Sequence, residues 1–222
     1  MKVRFPIFLS LALLSGLIDH ASAVEFQFGN FTCDDLGSTI SIIDYPDAAS
    51  GPVEIPSSIS RLGVNKPVTV IEELAFNEVV GMTSVIIPSS VTTIRSDAFA
   101  LCTGLTQVTL PSSVTSIGSG AFALCTGLTH VNLPSSVTSI GPTAFKECTS
   151  LTSITLPAGL SIIEDSLFEG CSSLTNLAIP VGVSAIGPKA FAGCGGLVKM
   201  VIPFGVSVIE SSTFEKIGRA HV

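Results

Sequence analysis

Phe76, Phe99, Phe122, Phe145, Phe168, Phe191 and Phe214 follow one another at steps of 23 residues. Cys102, Cys125, Cys148, Cys171 and Cys194 keep the same step, and so do Pro88, Pro111, Pro134, Pro157, Pro180 and Pro203. Three chemically unrelated residue types locked to one period imply a chain built from one repeated supersecondary unit. A single unit of this length cannot cover its own apolar side. Stacked units cover each other, so the period predicts an elongated array held by nearest-neighbour contacts. The composition agrees, because 46 % hydrophobic against 12 % charged residues lies far from the regime of disorder.

One unit reads PSSVTSIGSGAFALCTGLTHVNL from Pro111, and the next reads PSSVTSIGPTAFKECTSLTSITL. Five complete units run from Pro88 to Ile202. A degenerate one, Asn65 to Ile87, precedes them without the Pro and with Val79 in place of the Cys. A seventh begins at Pro203. Leu128-Thr-His-Val131-Asn-Leu133 has the form L-x-x-V-x-L, which resembles the strand core of a leucine-rich repeat. A strand sends Val131 and Leu133 inward and His130 and Asn132 outward. Pro134 stops the strand because it has no N–H for the ladder. Val137 and Ile140 point inward from the opposite wall, Gly141 turns the chain, and Ala144-Phe145 is assigned to a short helical turn. The predicted fold class is an α/β repeat. It is a leucine-rich-repeat solenoid with 23-residue coils, parallel strands and short helical turns, preceded by a small β-type N-terminal cap. Seven coils at roughly 5 Å give an array about 30–35 Å long.

The string P-S-S-V-T-S-I-G-x-x-A-F-x-x-C-x-x-L-T-x-V-x-L resembles the BspA-like, or Treponema-type, leucine-rich repeats, from Asn65 to about Lys216. The resemblance implies a secreted or surface-displayed protein, of a kind in which several members act in adhesion or in host and matrix contact. It brings no shared catalytic residues.

The outer segments break the period. Lys2 and Arg4, the apolar stretch Phe5 to Ile18 and the small-x-small site Ala21-Ser22-Ala23 read as a signal peptide over 1–23. Residues 24–64 are out of register and read as a cap on the first coil, with Asp34-Asp35-Leu36-Gly37 as a turn between strand-like stretches. A small ligand-binding hairpin is the alternative. Asn30-Phe31-Thr32 is a glycosylation sequon, of consequence only in a eukaryotic secretory pathway. The array occupies 65–216. At 217, where a Cys is expected, the chain reads Ile217-Gly-Arg-Ala-His-Val222, a string that also resembles a translated sequencing-adapter read. The expectation is that 217–222 is a non-native tail on a fragment, whose last coil would present an open edge prone to association.

Six cysteines in a secreted chain invite a disulfide framework. The period argues for another arrangement, because five of them occupy one equivalent position. They form a ladder of small buried thiols, and a ladder of five cannot pair completely. Cys33 stands outside it. No C-x-x-C spacing and no clustered His or carboxylate suggests a metal, and no cofactor is implied. His20, His130 and His221 are isolated in sequence, so neither a dyad nor a triad can be assembled around them, and the chain reads as non-catalytic. The net charge of −7 without a basic cluster argues against nucleic acid, and no apolar run has transmembrane length.

What remains is the outward strand surface: Gln107, Thr109, His130, Asn132, Ser153, Thr155, Asn176 and Lys199. These positions vary from coil to coil while the core positions do not. They are the candidate binding surface, for an extracellular protein or polysaccharide, on a chain expected to be monomeric at full length. Two other readings stay open. One is a structural spacer or a targeting arm of a larger extracellular protein, an enzyme included. The other is a flat hydroxyl array for a repetitive surface such as ice or polysaccharide, weakened by the Gln, His, Asn and Lys in it.

Overall fold

The computed structural model describes residues 24–217. The signal peptide expected over 1–23 falls outside these, as does the non-native tail expected over 217–222 apart from Ile217, which packs against the core. The described chain is a β-solenoid of 23-residue coils. One side is a seven-stranded parallel sheet built from β4 (Ser50–Glu54), β7 (Gly81–Ile86), β9 (Gln107–Thr109), β11 (His130–Asn132), β13 (Ser153–Ile154), β15 (Asn176–Ala178) and β17 (Lys199–Val201), ordered as in sequence. The facing wall begins with the antiparallel strands β1 (Val24–Phe28), β2 (Phe31–Asp35) and β3 (Ile40–Asp44). It continues in parallel through β6 (Val64–Ile71), β8 (Thr93–Ile94), β10 (Ser116–Ile117) and β12 (Ser139–Ile140). A separate ladder of β14 (Ile162–Ile163), β16 (Ala185–Ile186) and β18 (Val208–Ile209) carries the wall onward. The wall parts between β12 and β14. There Gly159 replaces the serine that, as Ser136, donates its hydroxyl to the Val114 carbonyl of the preceding coil.

The strand side turns onto the wall through the proline. Each Pro carbonyl accepts the N–H three residues on, as in Val137 to Pro134 at 3.1 Å and Val183 to Pro180 at 3.0 Å. This is the turn expected where proline ends a strand.

The third side corrects the sequence reading. Ala144-Phe145 and its equivalents do not form helical turns. No helix occurs among the described residues, so the α/β class gives way to an all-β solenoid. The reason lies in the backbone donors. The N–H groups of Gly120, Phe122 and Leu124 reach forward to the carbonyls of Pro142, Ala144 and Lys146 in the next coil, at 3.0, 2.9 and 2.7 Å. The alternate donors, Ala121, Ala123 and Cys125, fold back on carbonyls three residues earlier. A helix needs every N–H for its own i−4 carbonyl, and half of them are engaged between coils. Two residues per coil adopt positive φ to permit this. The columns are Leu74, Asp97, Gly120, Thr143, Ser166, Lys189, Ser212 and Glu78, Leu101, Leu124, Glu147, Gly170, Gly193, Lys216.

Inside, the phenylalanines stack face to face along the axis, from 4.9 Å between Phe76 and Phe99 to 5.9 Å between Phe191 and Phe214. Phe31 and Tyr45 of the N-terminal segment close that stack, with Tyr45 5.2 Å from Phe76. The N-terminal segment also joins the ladders. β3 pairs in parallel with β6, and β4 with β7. The period fails there because an antiparallel hairpin, β5 (Ser58–Arg61) with β6, lengthens the connection. Outside it, Lys66 and Arg61 meet Asp35, and Arg61 covers the Phe26 ring at 4.2 Å.

Two stability predictions follow from this packing. Phe145 is fully buried between Phe122 and Phe168. Phe145→Ala should cost about 3–5 kcal/mol, and an unchanged urea midpoint would refute the stack. Gly170 holds φ +77, and a Cβ there would stand 2.5 Å from the carboxyl carbon of Glu147, whereas Gly195 faces open space. Gly170→Ala should lose about 1–2 kcal/mol while Gly195→Ala stays near neutral; equal midpoints would contradict the left-handed turn.

Candidate binding surface

The parallel register turns the sequence period into columns in space. Ser84, Gln107, His130, Ser153, Asn176 and Lys199 are direct partners along the strand side. Thr109 pairs with Asn132, and Ala178 with Val201. All eight residues expected on the surface are exposed, while Val108, Val131, Ile154, Leu177 and Met200 between them are buried. Strand alternation therefore brings the candidates onto one face. Thr155 lies just beyond the two paired residues of β13.

The face has little electrostatic preorganisation. His130 places Nδ1 3.0 Å from the Thr129 hydroxyl, and its column neighbours are Gln107 and Ser153, so no carboxylate orients it as a base. Among the described residues there is no group of three or more His, Cys, Asp or Glu able to hold a metal. Nor is any helix among them long and apolar enough to cross a membrane.

A threonine column borders this face. Thr106, Thr129, Thr152 and Thr175 each donate the hydroxyl to the carbonyl of the equivalent residue one coil earlier, at 3.0–3.3 Å. Their protons are engaged within the scaffold, which leaves the hydroxyl-array reading without its donors along this column. Sequence reasoning passed over a second column, the residue after each proline: Ser89, Ser112, Ser135, Ala158, Val181 and Phe204. The period alone could have found it. Ala158 and Val181 line a groove of about 530 Å³ with Thr155, Ala178, Val201 and Lys199.

The cysteine ladder sits on the far side of the core. No disulfide joins the six cysteines, and all are buried. Cys125, Cys148, Cys171 and Cys194 each donate Sγ–H to a phenylalanine carbonyl of the preceding coil at 3.1 Å, and Cys102 does so to Phe76 at 3.0 Å. Burial pushes the Cys125, Cys148 and Cys171 thiols well above their ordinary value, with neighbouring thiols adding to it. Burial raises Cys194 to about 12. Cys33 is held at about 11 by burial and then by Asp34.

Parallel coils, an inward Leu/Val/Ile pattern and a side-chain-bearing strand face define a leucine-rich-repeat solenoid. A model of the BspA type leucine rich repeat region matches residues 55–145 and 92–220, in six copies, and the chain belongs to this family. It is similar to a leucine rich cell surface protein from Faecalibacterium prausnitzii, with 33 % identity and a TM-score of 0.79 over 88 % of this chain. That match spans 52 % of the Faecalibacterium chain, about half its length. The T. pallidum leucine rich repeat protein is 27 % identical, with a TM-score of 0.63 over 78 % of this chain and 91 % of that one. A leucine-rich repeat protein from Eubacterium ventriosum, 25 % identical, gives a TM-score of 0.56 over 76 % of this chain and 49 % of that one. No curated protein sequence matches significantly. No catalytic family is indicated among these matches.

The thiol ladder yields a pH prediction. Cys33, Cys125, Cys148, Cys171 and Cys194 stay protonated in the native state where unfolded cysteine ionises, near pH 8.5. The unfolded state then binds fewer protons, so stability should be level below that pH and fall as pH rises towards 11–12. Urea midpoints across pH 7–10.5 should show the decline, less steeply in Cys148→Ala. A thiol reagent at pH 8 should find no reactive group in the native protein and six after unfolding; fewer than six would reveal crosslinks.

Proposed function

We propose that this chain is an extracellular or cell-surface binding module. It engages a secreted protein or polysaccharide through the strand face formed by Gln107, Thr109, His130, Asn132, Ser153, Thr155, Asn176 and Lys199, and it performs no catalysis itself. One observation carries the reading. Core columns stay apolar through the array, with Phe in one and only Val, Ile, Leu or Met at the buried strand position, while the outward columns change chemistry from coil to coil on a repeating backbone. Such a surface is rigid in shape and free in chemistry, as recognition requires. The Faecalibacterium relative, described as a cell surface protein, supports the location, and so does the signal-like sequence of residues 1–23. Adhesion is the role that this location and surface fit.

A spacer or targeting arm of a larger extracellular protein is the second reading. It is favoured by the chain's spanning about half the length of that relative.

The test is retention of the purified chain on an array of immobilised secreted proteins and polysaccharides. Binding should be lost in the double variant His130→Glu, Asn132→Glu and kept in Glu73→Gln, which lies off the strand face. Retention by the double variant would move the site elsewhere, and failure to bind any spot would favour the spacer.

A further inference from the structure

The strand face is not uniform along the axis. Its outer column runs Ile86, Thr109, Asn132, Thr155, Ala178, Val201, and the column after the proline runs Ser89, Ser112, Ser135, Ala158, Val181, Phe204. Both columns are polar at the coils of Thr109 and Asn132 and both are aliphatic at the coil of Ala178 and Val181. Val181 is 86 % exposed and Val201 60 %. Between these columns lies the groove of about 530 Å³ already described.

The charge pattern is equally uneven. In a chain of net charge −7, the segments that build this face and its flanking turn hold no Asp or Glu. They are residues 103–113, 126–136, 149–159, 172–182 and 195–205. The acidic residues of these coils, such as Glu147, Asp165, Glu169 and Glu215, lie on the turn side and its approaches. Lys199 stands at the groove, exposed, and forms no ion pair among the described residues. An unpaired cation beside a carboxylate-free aliphatic surface is complementary to a carboxylate beside aliphatic side chains. Asn176 donates Nδ2 to the Thr175 hydroxyl and is itself exposed, which leaves its amide oxygen free to accept a peptide N–H. A sugar surface would call for aromatic platforms on which the apolar faces of sugar rings pack; the groove lining contains none, and the exposed Phe204 of the same column stands outside that lining.

Resting on the strand-face reading above, we infer that this groove, across the coils of Thr155, Ala178 and Val201, binds a protein segment that presents aliphatic side chains next to an acidic residue. The aliphatic groups pack on Ala158, Ala178, Val181 and Val201, and the carboxylate pairs with Lys199. The stretch holding Gln107, His130 and Asn132 is then a polar rim to this site.

The probe is a phage-displayed library of random twelve-residue peptides selected on the whole chain, with laminarin and chitohexaose as parallel ligands. Selected peptides should carry Asp or Glu within three positions of Leu, Ile or Val. By fluorescence polarisation, Val181→Asp should weaken them at least tenfold and Lys199→Glu at least fivefold. Selection on Lys199→Glu should turn to Lys or Arg at the acidic position. Both side chains are exposed, so the melting curves of the variants should match the parent. The inference is overturned if no such pattern is enriched, if enriched peptides ignore both substitutions, or if only the glycans bind. Loss of array binding in the His130, Asn132 double variant with full binding in Val181→Asp would keep the strand-face reading and reject the groove.

Discussion

Hydrogen bonding between successive coils is the constraint on which the rest depends. On the strand side and the wall it takes the form of parallel ladders. On the third side it is made by every second N–H of the turn, as Phe122 to Ala144 and Phe145 to Leu167 show. A coil with donors and acceptors aimed at its neighbours on three sides must repeat its backbone to within small tolerances. Equivalent side chains are then stacked whether or not they attract one another. The phenylalanines fill the broad part of the core because a flat ring tolerates a spacing near 5 Å above and below, and 5.3–5.9 Å through the central coils fits that need.

The same constraint explains the cysteine. Its Sγ–H reaches the phenylalanine carbonyl of the coil before, as Cys148 does to Phe122. The site therefore asks for a small, largely apolar side chain with one donor. Valine at 79 supplies the volume without the donor, in the first coil, where the preceding chain is irregular. The ladder thus contributes packing and a line of weak hydrogen bonds, and its raised thiol pKa values are a by-product of burial, not a sign of reactivity.

Much of this was legible in the sequence, and the failures have physical causes. The period, the inward Val131 and Leu133, the stacked Phe and the thiol ladder follow from register alone. The turn side reads as helical because Ala144-Phe145-x-x-Cys148 spaces apolar residues as a helix would. The left-handed positions that forbid it fall on Leu124, Thr143, Glu147 and Lys189, where no glycine marks them. The break in period before residue 65 has its cause in the β5–β6 hairpin, which lengthens the connection while β3 and β4 still join the ladders of the repeats. Of the candidate surface, the eight strand positions could be read from alternation. The column of Ala158 and Val181 is hidden in the sequence because a residue after a proline reads as turn alone.

Because the coils satisfy one another's backbone groups, the strand face offers a partner few main-chain donors or acceptors. Recognition has to run through side chains about 5 Å apart along the axis and alternate residues across it. Affinity on such a lattice concentrates in a few side chains that exclude water, as hot spots do. Hydrogen-bonding residues in the middle of the array, exposed and well hydrated, contribute more to selectivity than to strength. The proposed groove, with the exposed aliphatic coil of Ala178 and Val181 and Lys199 beside it, is where such a cluster would form. The uneven distribution of apolar and charged side chains along an otherwise uniform solenoid therefore does what the backbone cannot: it gives the array a direction, and the proposed groove rests on that asymmetry.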